Sequence, residues 1–381
     1  MDNLRAEFPI FEKHPDLIYF DSAATTHKPR CVIETLHRFY AEEYATVHRA
    51  IYRGALLSTE KYNAAREAIR VFLHAAHIEE IVFTRGTTDA LNLVAQSYGH
   101  THIQAGDEIL VSEMEHHSNL VPWQMLAQQT GALLRWMPMD MAGTIDVLSE
   151  IRPGVKLIAI AHISNVTGTI NPIGEIAKAA HKVGAVVVVD GAQAAPHQTI
   201  DVQALGCDFY AFSGHKCYGP TGVGVLYGKK ELLEAMPPIC GGGDMIEQVL
   251  LEKTTYAPPP LRFEAGTPII GSVIALKAAI DWVTSVGLEA IASHEHALLQ
   301  RLERNLQSID GLSILGAAPQ KGPICTFSMQ GVHPLDLATM LGPLLGWMQS
   351  AHPLGVLARP ADDGFKVSGA GGSLGLDVVL D

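Results

Sequence analysis

Short, unbroken apolar runs recur through the first two-thirds of the chain, each followed by small or polar residues. "EEIVFT" (79–84) leads into "RGTT" and then a helical pattern, "DALNLVAQSY". "DEILVS" (107–112) precedes "EMEHHSN", and "VKLIAIAHIS" (155–164) precedes "NVTGT". "GAVVVVD" (184–190) precedes "GAQAAP", and "CDFYAFS" (207–213) leads into "GHK". Helical stretches such as "IGEIAKAAHKV" lie between them. Strands apolar at every position are buried on both faces, and strands alternating with helices form a parallel sheet with helices on either side. The pattern predicts an α/β fold with a mostly parallel sheet. No internal repeat interrupts it.

Such a sheet binds its ligand beyond the carboxyl ends of its strands. Each of the five runs ends in residues with chemistry: Thr87 and Thr88, His116, Asn165, Asp190 with Gln193, and Ser213 to Lys216. Asp190 follows four valines. A carboxylate at the end of so apolar a strand needs a partner. That partner is either a helix N-terminus or a protonated heteroaromatic nitrogen. Lys216 lies at the end of the next strand. A lone lysine in a Gly/Pro turn is ordinarily a surface residue, but lysine also forms Schiff bases with carbonyl cofactors. A lysine paired with a carboxylate points to pyridoxal 5'-phosphate. In that reading His116 stacks on the ring and Gln193 donates to its phenolic oxygen. Gly86, Thr87 and Thr88 open a helix whose free N–H groups suit a phosphate, and Ser213 and His215 complete the cup.

Composition narrows the field. The chain has 381 residues, 48% hydrophobic and 18% charged, enough for a large core and two domains. A net charge of −13 argues against a nucleic-acid surface or a polybasic membrane face. No apolar run reaches the roughly 18 residues of a membrane span, and the acidic start "MDNLRAEFPIFEKHPD" is no secretory signal. Five widely spaced cysteines give neither a disulfide framework nor a zinc pattern, so a cytoplasmic location is expected. No metal site is expected: His116 and His117 lack the spacing of a helical pair and HExxH is absent. "GVG" at 222–224 precedes a strand rather than a helix, which excludes a dinucleotide fingerprint.

The stretches "YFDSAATTHKP", "FTRGTTDALNLVA", "EMEHHSNLVPWQ", "HISNVTGTINPI", "VVDGAQAAPH", "DFYAFSGHKCYGPTGVGVLYG" and "RFEAGTP" resemble the fold-type I, class V aminotransferase group. Within it the chain is similar to the SUF-type (group II) cysteine desulfurases and selenocysteine lyases. The resemblance spans roughly residues 1–341. It implies a large cofactor domain over 20–255 and a smaller α+β domain over 256–341, with residues 1–19 packing on the smaller one. It also implies that Lys216 is the Schiff-base lysine, Asp190 holds the pyridinium, Gln193 the phenolic oxygen, and His116 stacks and shuttles protons. Thr87, Thr88, Ser213 and His215 hold the phosphate. Thr267 reaches the phosphate of a second subunit, hence a homodimer. Asn165 meets the substrate carboxylate and His48 lines the entrance. The implied substrate is L-cysteine or L-selenocysteine, with sulfur passed to an acceptor protein for iron–sulfur cluster assembly.

The resemblance ends at residue 341. The family continues with an Arg-x-Gly-His-x-Cys loop, an Arg-Ala-Ser strand and a helix. This chain reads "GPLLGWMQSAHPLGVLARPADDGFKVSGAGGSLGLDVVLD". Arg359 faintly echoes the loop, but Gly364 stands where the nucleophile falls, and no cysteine follows Cys325. The small domain is therefore expected to be incomplete and residues 342–381 poorly ordered, as a frameshifted reading frame would give. Three functions stand open: a desulfurase homologue impaired in sulfur transfer, a cysteine-independent enzyme such as a C–S lyase, and a non-catalytic cofactor-binding homologue.

Overall fold

The computed structural model describes residues 4–334, 336, 337 and 339, and the backbone of 374–377. Its centre is a seven-stranded sheet: β1 Ile81–Thr84, β2 Glu108–Ser112, β3 Leu133–Met137, β4 Val155–Ala161, β5 Val186–Asp190, β6 Phe209–Ser213 and β7 Gly224–Gly228. The spatial order is β1-β7-β6-β5-β4-β2-β3. Strands β6, β5, β4, β2 and β3 run parallel, and β7 runs antiparallel to both its neighbours, β6 and β1. The sheet is thus mostly parallel, as the apolar runs require.

Those runs lack alternation because the sheet is covered twice. Val187 and Val189 join one apolar cluster with Ile158, Ile160, Tyr210 and Phe212. Val188 joins the cluster on the other face with Leu157, Ala159, Phe209 and Ala211. The helix Ile173–Lys182 buries Ile173, Ile176, Ala177 and Ala180, the single stripe expected of a helix lying on a sheet. β3 is the strand that the pattern did not reveal. It sits at the sheet edge and carries Arg135, which pairs with Glu108 and Glu150, so no continuous apolar run marks it.

Beyond the sheet, Ile246–Val249 (β8) and Thr254–Tyr256 (β9) form an exposed hairpin. The helix Ile270–Val286 returns to the main core, and Leu288–Gln307 follows it. Leu312–Leu315 (β10), Ile324–Met329 (β11) and Leu374–Asp377 (β12) make a second, antiparallel sheet. A strand at 374–377 departs from the expectation of a tail without regular structure. The edge of β11 offers a row of backbone groups, and this short segment pairs with them. The rest of 342–381, with Arg359 and Gly364, lies outside the described residues. Near the N-terminus, Phe8 and Phe11 are buried, and Phe8 meets Trp282 edge-on at 5.4 Å. Among the described residues no single helix is long and apolar enough to cross a membrane.

Candidate active site

The carboxyl ends of β1, β2, β4, β5 and β6 converge on one cavity of about 310 Å³. Its walls include Thr87, Thr88, His116, Asn165, Asp190, Gln193, Ser213, His215 and Lys216. Residues far apart in sequence meet here because parallel strands deliver every βα loop to the same edge. Of the described candidates, only His48 and Thr267 are not on this wall. His48 is exposed, lies against Tyr62 at 5.6 Å between ring centroids, and has a left-handed backbone (φ 61°). Thr267 is exposed in the loop after Glu264. Arg359 lies outside the described residues.

At one end of the cavity the helix Thr87–Val94 begins. The Thr87 N–H donates to Ser213 Oγ at 2.8 Å, and the two hydroxyls also meet at 2.8 Å. The β1–helix turn approaches the start of β7 closely. A Cβ on Gly224 would lie 2.4 Å from the Gly86 Cα, so only glycine allows this approach. His215 Nδ1 lies 3.2 Å from Thr25 Oγ1. Burial, with Lys216 and Lys28 nearby, pushes His215 down to about 4, so at neutral pH it is an uncharged hydrogen-bonding group.

On the floor, Asp190 is buried and accepts the Ala192 N–H at 2.9 Å. Burial pushes its carboxyl above the ordinary range, while the Ala192 amide and the Lys216 charge pull the other way. Such a group gains most from a cationic N–H donor. Gln193 donates from Nε2 to the Ala23 carbonyl at 2.9 Å, which leaves its second N–H for a ligand.

The His116 ring is braced by its own loop. Nδ1 accepts from the Ser118 N–H at 3.1 Å and meets Ser118 Oγ at 3.0 Å. An accepting Nδ1 places the neutral ring's proton on Nε2. Ser118 Oγ also meets Thr88 Oγ1 at 2.7 Å and so ties the β2 loop to the helix start. Beneath it the Glu115 carboxylate accepts from Asn119 Nδ2 at 2.6 Å, from Ala161 N–H at 2.9 Å and from the Ser112 hydroxyl. Burial nevertheless pushes Glu115 up to about 8.

Lys216 ends the short 3₁₀ turn Gly214–Lys216. The Gly214 carbonyl accepts from Cys217 N–H and Gly219 N–H, both at 2.9 Å, which closes the loop behind the lysine. The sequence alone assigns no role to Ser118, Glu115 or the segment Asp21–Lys28, although "YFDSAATTHKP" carries part of the family resemblance. Ser118 and Glu115 act through hydrogen bonds mostly within the β2 loop, and Thr25, Thr26 and Lys28 through contacts across long sequence separations, neither of which leaves a compositional trace.

No thiol is placed to act here. Cys217 and Cys325 are fully buried, and burial raises them to about 12 and about 11. Cys207 is pushed up further and Cys31 also upward. Cys240 is exposed but does not line the cavity. Among the described residues no cluster of His, Cys, Asp and Glu could hold a metal.

The donor set fits a phosphorylated heteroaromatic aldehyde. Hydroxyls and a helix start face one end, a buried carboxylate lies on the floor, and a primary amine stands on the wall. The class-V aminotransferase family matches residues 18–344. A probable cysteine desulfurase of Halalkalibacterium halodurans is 50% identical over 340 residues, 88% of this chain and 84% of that protein. A probable cysteine desulfurase of Vibrio cholerae is 46% identical over 375 residues, 97% of this chain and 92% of that one. The crystal structure of the Escherichia coli cysteine desulfurase CsdA, in an S-sulfonic acid form, matches with a TM-score of 0.89 at 41% identity. It covers 99% of this chain and 93% of that one.

Proposed function

We propose, from the premise that the chain belongs to the class-V aminotransferase family and to its cysteine desulfurase branch, that it acts on L-cysteine or L-selenocysteine with Lys216 as its central base. Pyridoxal 5'-phosphate is the cofactor. The observation that carries the reading is Lys216 and Asp190 on the walls of one cavity, beside a hydroxyl-lined helix start. Thr87, Thr88, Ser213 and neutral His215 would hold the phosphate, and Gln193 the phenolic oxygen. When bound, pyridoxal phosphate takes up the electron pair released at the substrate's α-carbon. Asp190 would accept from the ring nitrogen and so keep its proton in place. The Lys216 amine would hold the cofactor's aldehyde and would take the substrate's α-proton. His116, with its proton on Nε2, would stack on the ring and pass protons, and Asn165 would meet the substrate carboxylate.

Sulfur transfer is the weak step. A desulfurase needs a thiolate that attacks the substrate's sulfur and leaves alanine. The cysteines near the cavity are buried and held protonated, so we infer that persulfide formation is impaired in this chain. The same observation favours a second reading, a lyase that releases sulfide and pyruvate with ammonia. Supplying L-cysteine and assaying alanine, pyruvate and sulfide separates the two. Alanine supports the first, and pyruvate with free sulfide the second. No product of either kind sinks both.

Further elements of the reading are a homodimer, a sulfur-acceptor protein as partner, and a cytoplasmic location. Exposed Thr267, and exposed apolar side chains such as Ile51 and Leu251, support the dimer. Five free cysteines support a reducing compartment.

A further inference from the structure

The peptide carbonyl immediately before Lys216 is held by an unusual number of donors. The His215 oxygen accepts from the Thr26 N–H at 3.1 Å and the Thr26 hydroxyl at 3.0 Å. Lys28 Nζ donates to it at 2.9 Å, and the Thr25 hydroxyl stands at 3.3 Å. A carbonyl offers two lone pairs, so this oxygen is saturated. Thr26 Oγ1 in turn accepts the Tyr218 N–H at 3.0 Å, on the far side of Lys216, where Tyr218 has a left-handed backbone (φ 58°). The peptide unit before Lys216 and the one between Cys217 and Tyr218 are therefore tied to residues 25–28.

Lys28 is the charged member of the group. Among the described residues no carboxylate lies within ion-pair distance of it, and its Nζ donates to backbone carbonyls alone apart from a long contact to Thr26 Oγ1. Drawing an ammonium out of water without a counter-charge is costly, and burial pushes Lys28 down to about 8. A lysine kept there for packing alone could be an apolar residue. A charged donor to a carbonyl makes a stronger bond than a neutral one and fixes the peptide plane more firmly.

We propose that Lys28 is a positioning residue: with Thr25 and Thr26 it locks the His215 carbonyl and thereby sets the direction in which the Lys216 amine enters the cavity. The proposal rests on the reading of Lys216 as the cofactor lysine.

The test uses the full chain, stripped of cofactor and mixed with pyridoxal phosphate. Samples are reduced with borohydride at intervals, and the label on each lysine is measured by mass spectrometry of peptides. Lys28→Met is expected to slow fixation on Lys216 about tenfold, the effect of losing one charge-assisted hydrogen bond. Its thermal midpoint should stay close to that of the wild type. Lys28→Arg, which keeps the charge and donors, should recover to within about threefold. Thr26→Val, which removes a bond on each side of Lys216, should slow fixation as well and serves if Lys28→Met does not fold. Wild-type rates in Lys28→Met, or in Thr26→Val where only that variant folds, overturn the clamp. So does equal slowing in the Met and Arg variants with matching losses of thermal midpoint, which would mark a packing role. Wild-type label on a lysine other than Lys216 instead overturns the reading of Lys216 itself.

Discussion

Removing the Glu264 carboxylate is expected to damage the protein more than removing its partner. Arg66 and Glu264 are both buried and form a two-pronged ion pair, Nη1–Oε1 and Nη2–Oε2, each at 2.7 Å. Glu264 also accepts the Phe83 N–H of β1 at 2.7 Å and the Tyr62 hydroxyl at 3.2 Å. Arg66 has one further bond, from Nη1 to the Ile81 carbonyl at 2.6 Å. In Glu264→Leu the guanidinium stays buried with no counter-charge, and the Phe83 amide loses its acceptor. Breaking a buried pair this way costs about 3–5 kcal/mol. In Arg66→Leu the carboxylate keeps two donors, so its cost should fall near the lower end of that range. Arg66→Leu/Glu264→Leu buries no charge and should lie within about 2 kcal/mol of the wild type, less than either single change. Urea unfolding followed by tryptophan fluorescence, at one protein and cofactor concentration, measures all four proteins. A Glu264→Leu cost below about 1 kcal/mol, or a double variant as unstable as the sum of the singles, would refute the reasoning. On the reading of Thr267 as a phosphate contact, Glu264→Leu, a change in the same loop, should also hold pyridoxal phosphate less tightly.

Other outcomes follow from the same contacts. His162 is buried between the Tyr210 hydroxyl and the Gln198 amide, and burial lowers it to about 4. Between pH 6.5 and 4 the unfolded chain binds the proton that the folded chain refuses. Stability should therefore fall as pH drops through that window, by up to about 3 kcal/mol from this residue; urea midpoints that decline as steeply in His162→Gln would contradict it. Gly224→Ala drives a Cβ against Gly86 and should weaken pyridoxal phosphate binding about tenfold or more, read as a dissociation constant by absorbance titration. In native protein at pH 7, iodoacetamide should label Cys240 at least about tenfold faster than Cys207, Cys217 or Cys325, which are buried and protonated. After L-cysteine without reductant, mass spectrometry should find no persulfide on Cys217 or Cys325, and one formed in step with alanine would show that another thiol has taken over.

Much of the sheet was legible because burial on both faces leaves the same mark at every position of a strand. Val186 to Val189 could be read without knowing which face each valine joins. β3 was not legible, because an edge strand tolerates Arg135 and loses the mark. The site was legible wherever chemistry and strand ends coincide, as at Asp190 and Lys216. Glu115 was passed over because its neighbour His116 has the more recognisable chemistry. The roles of Thr26 and Lys28 depend on which carbonyl comes to lie above them, and that is a property of the closed fold rather than of the local chain. Leu374–Asp377 escaped notice because a short strand can be specified by the edge it meets.

The clamp on the His215 carbonyl also fixes an order of events at the ribosome. Thr26 and the carbonyl it holds are 189 residues apart. At a synthesis rate of about 5–20 residues per second, Thr26 waits roughly 10–40 s for its partner to be made. β1 waits about three-quarters as long, since among the described residues its neighbour in the sheet is β7, 140 to 146 residues further on. For that interval the nascent chain has neither the Thr87–Ser213 contact nor the hydrogen bonds that hold the His215 carbonyl. Cofactor capture is thus a late event in the life of each chain, confined to polypeptides that have already closed the sheet.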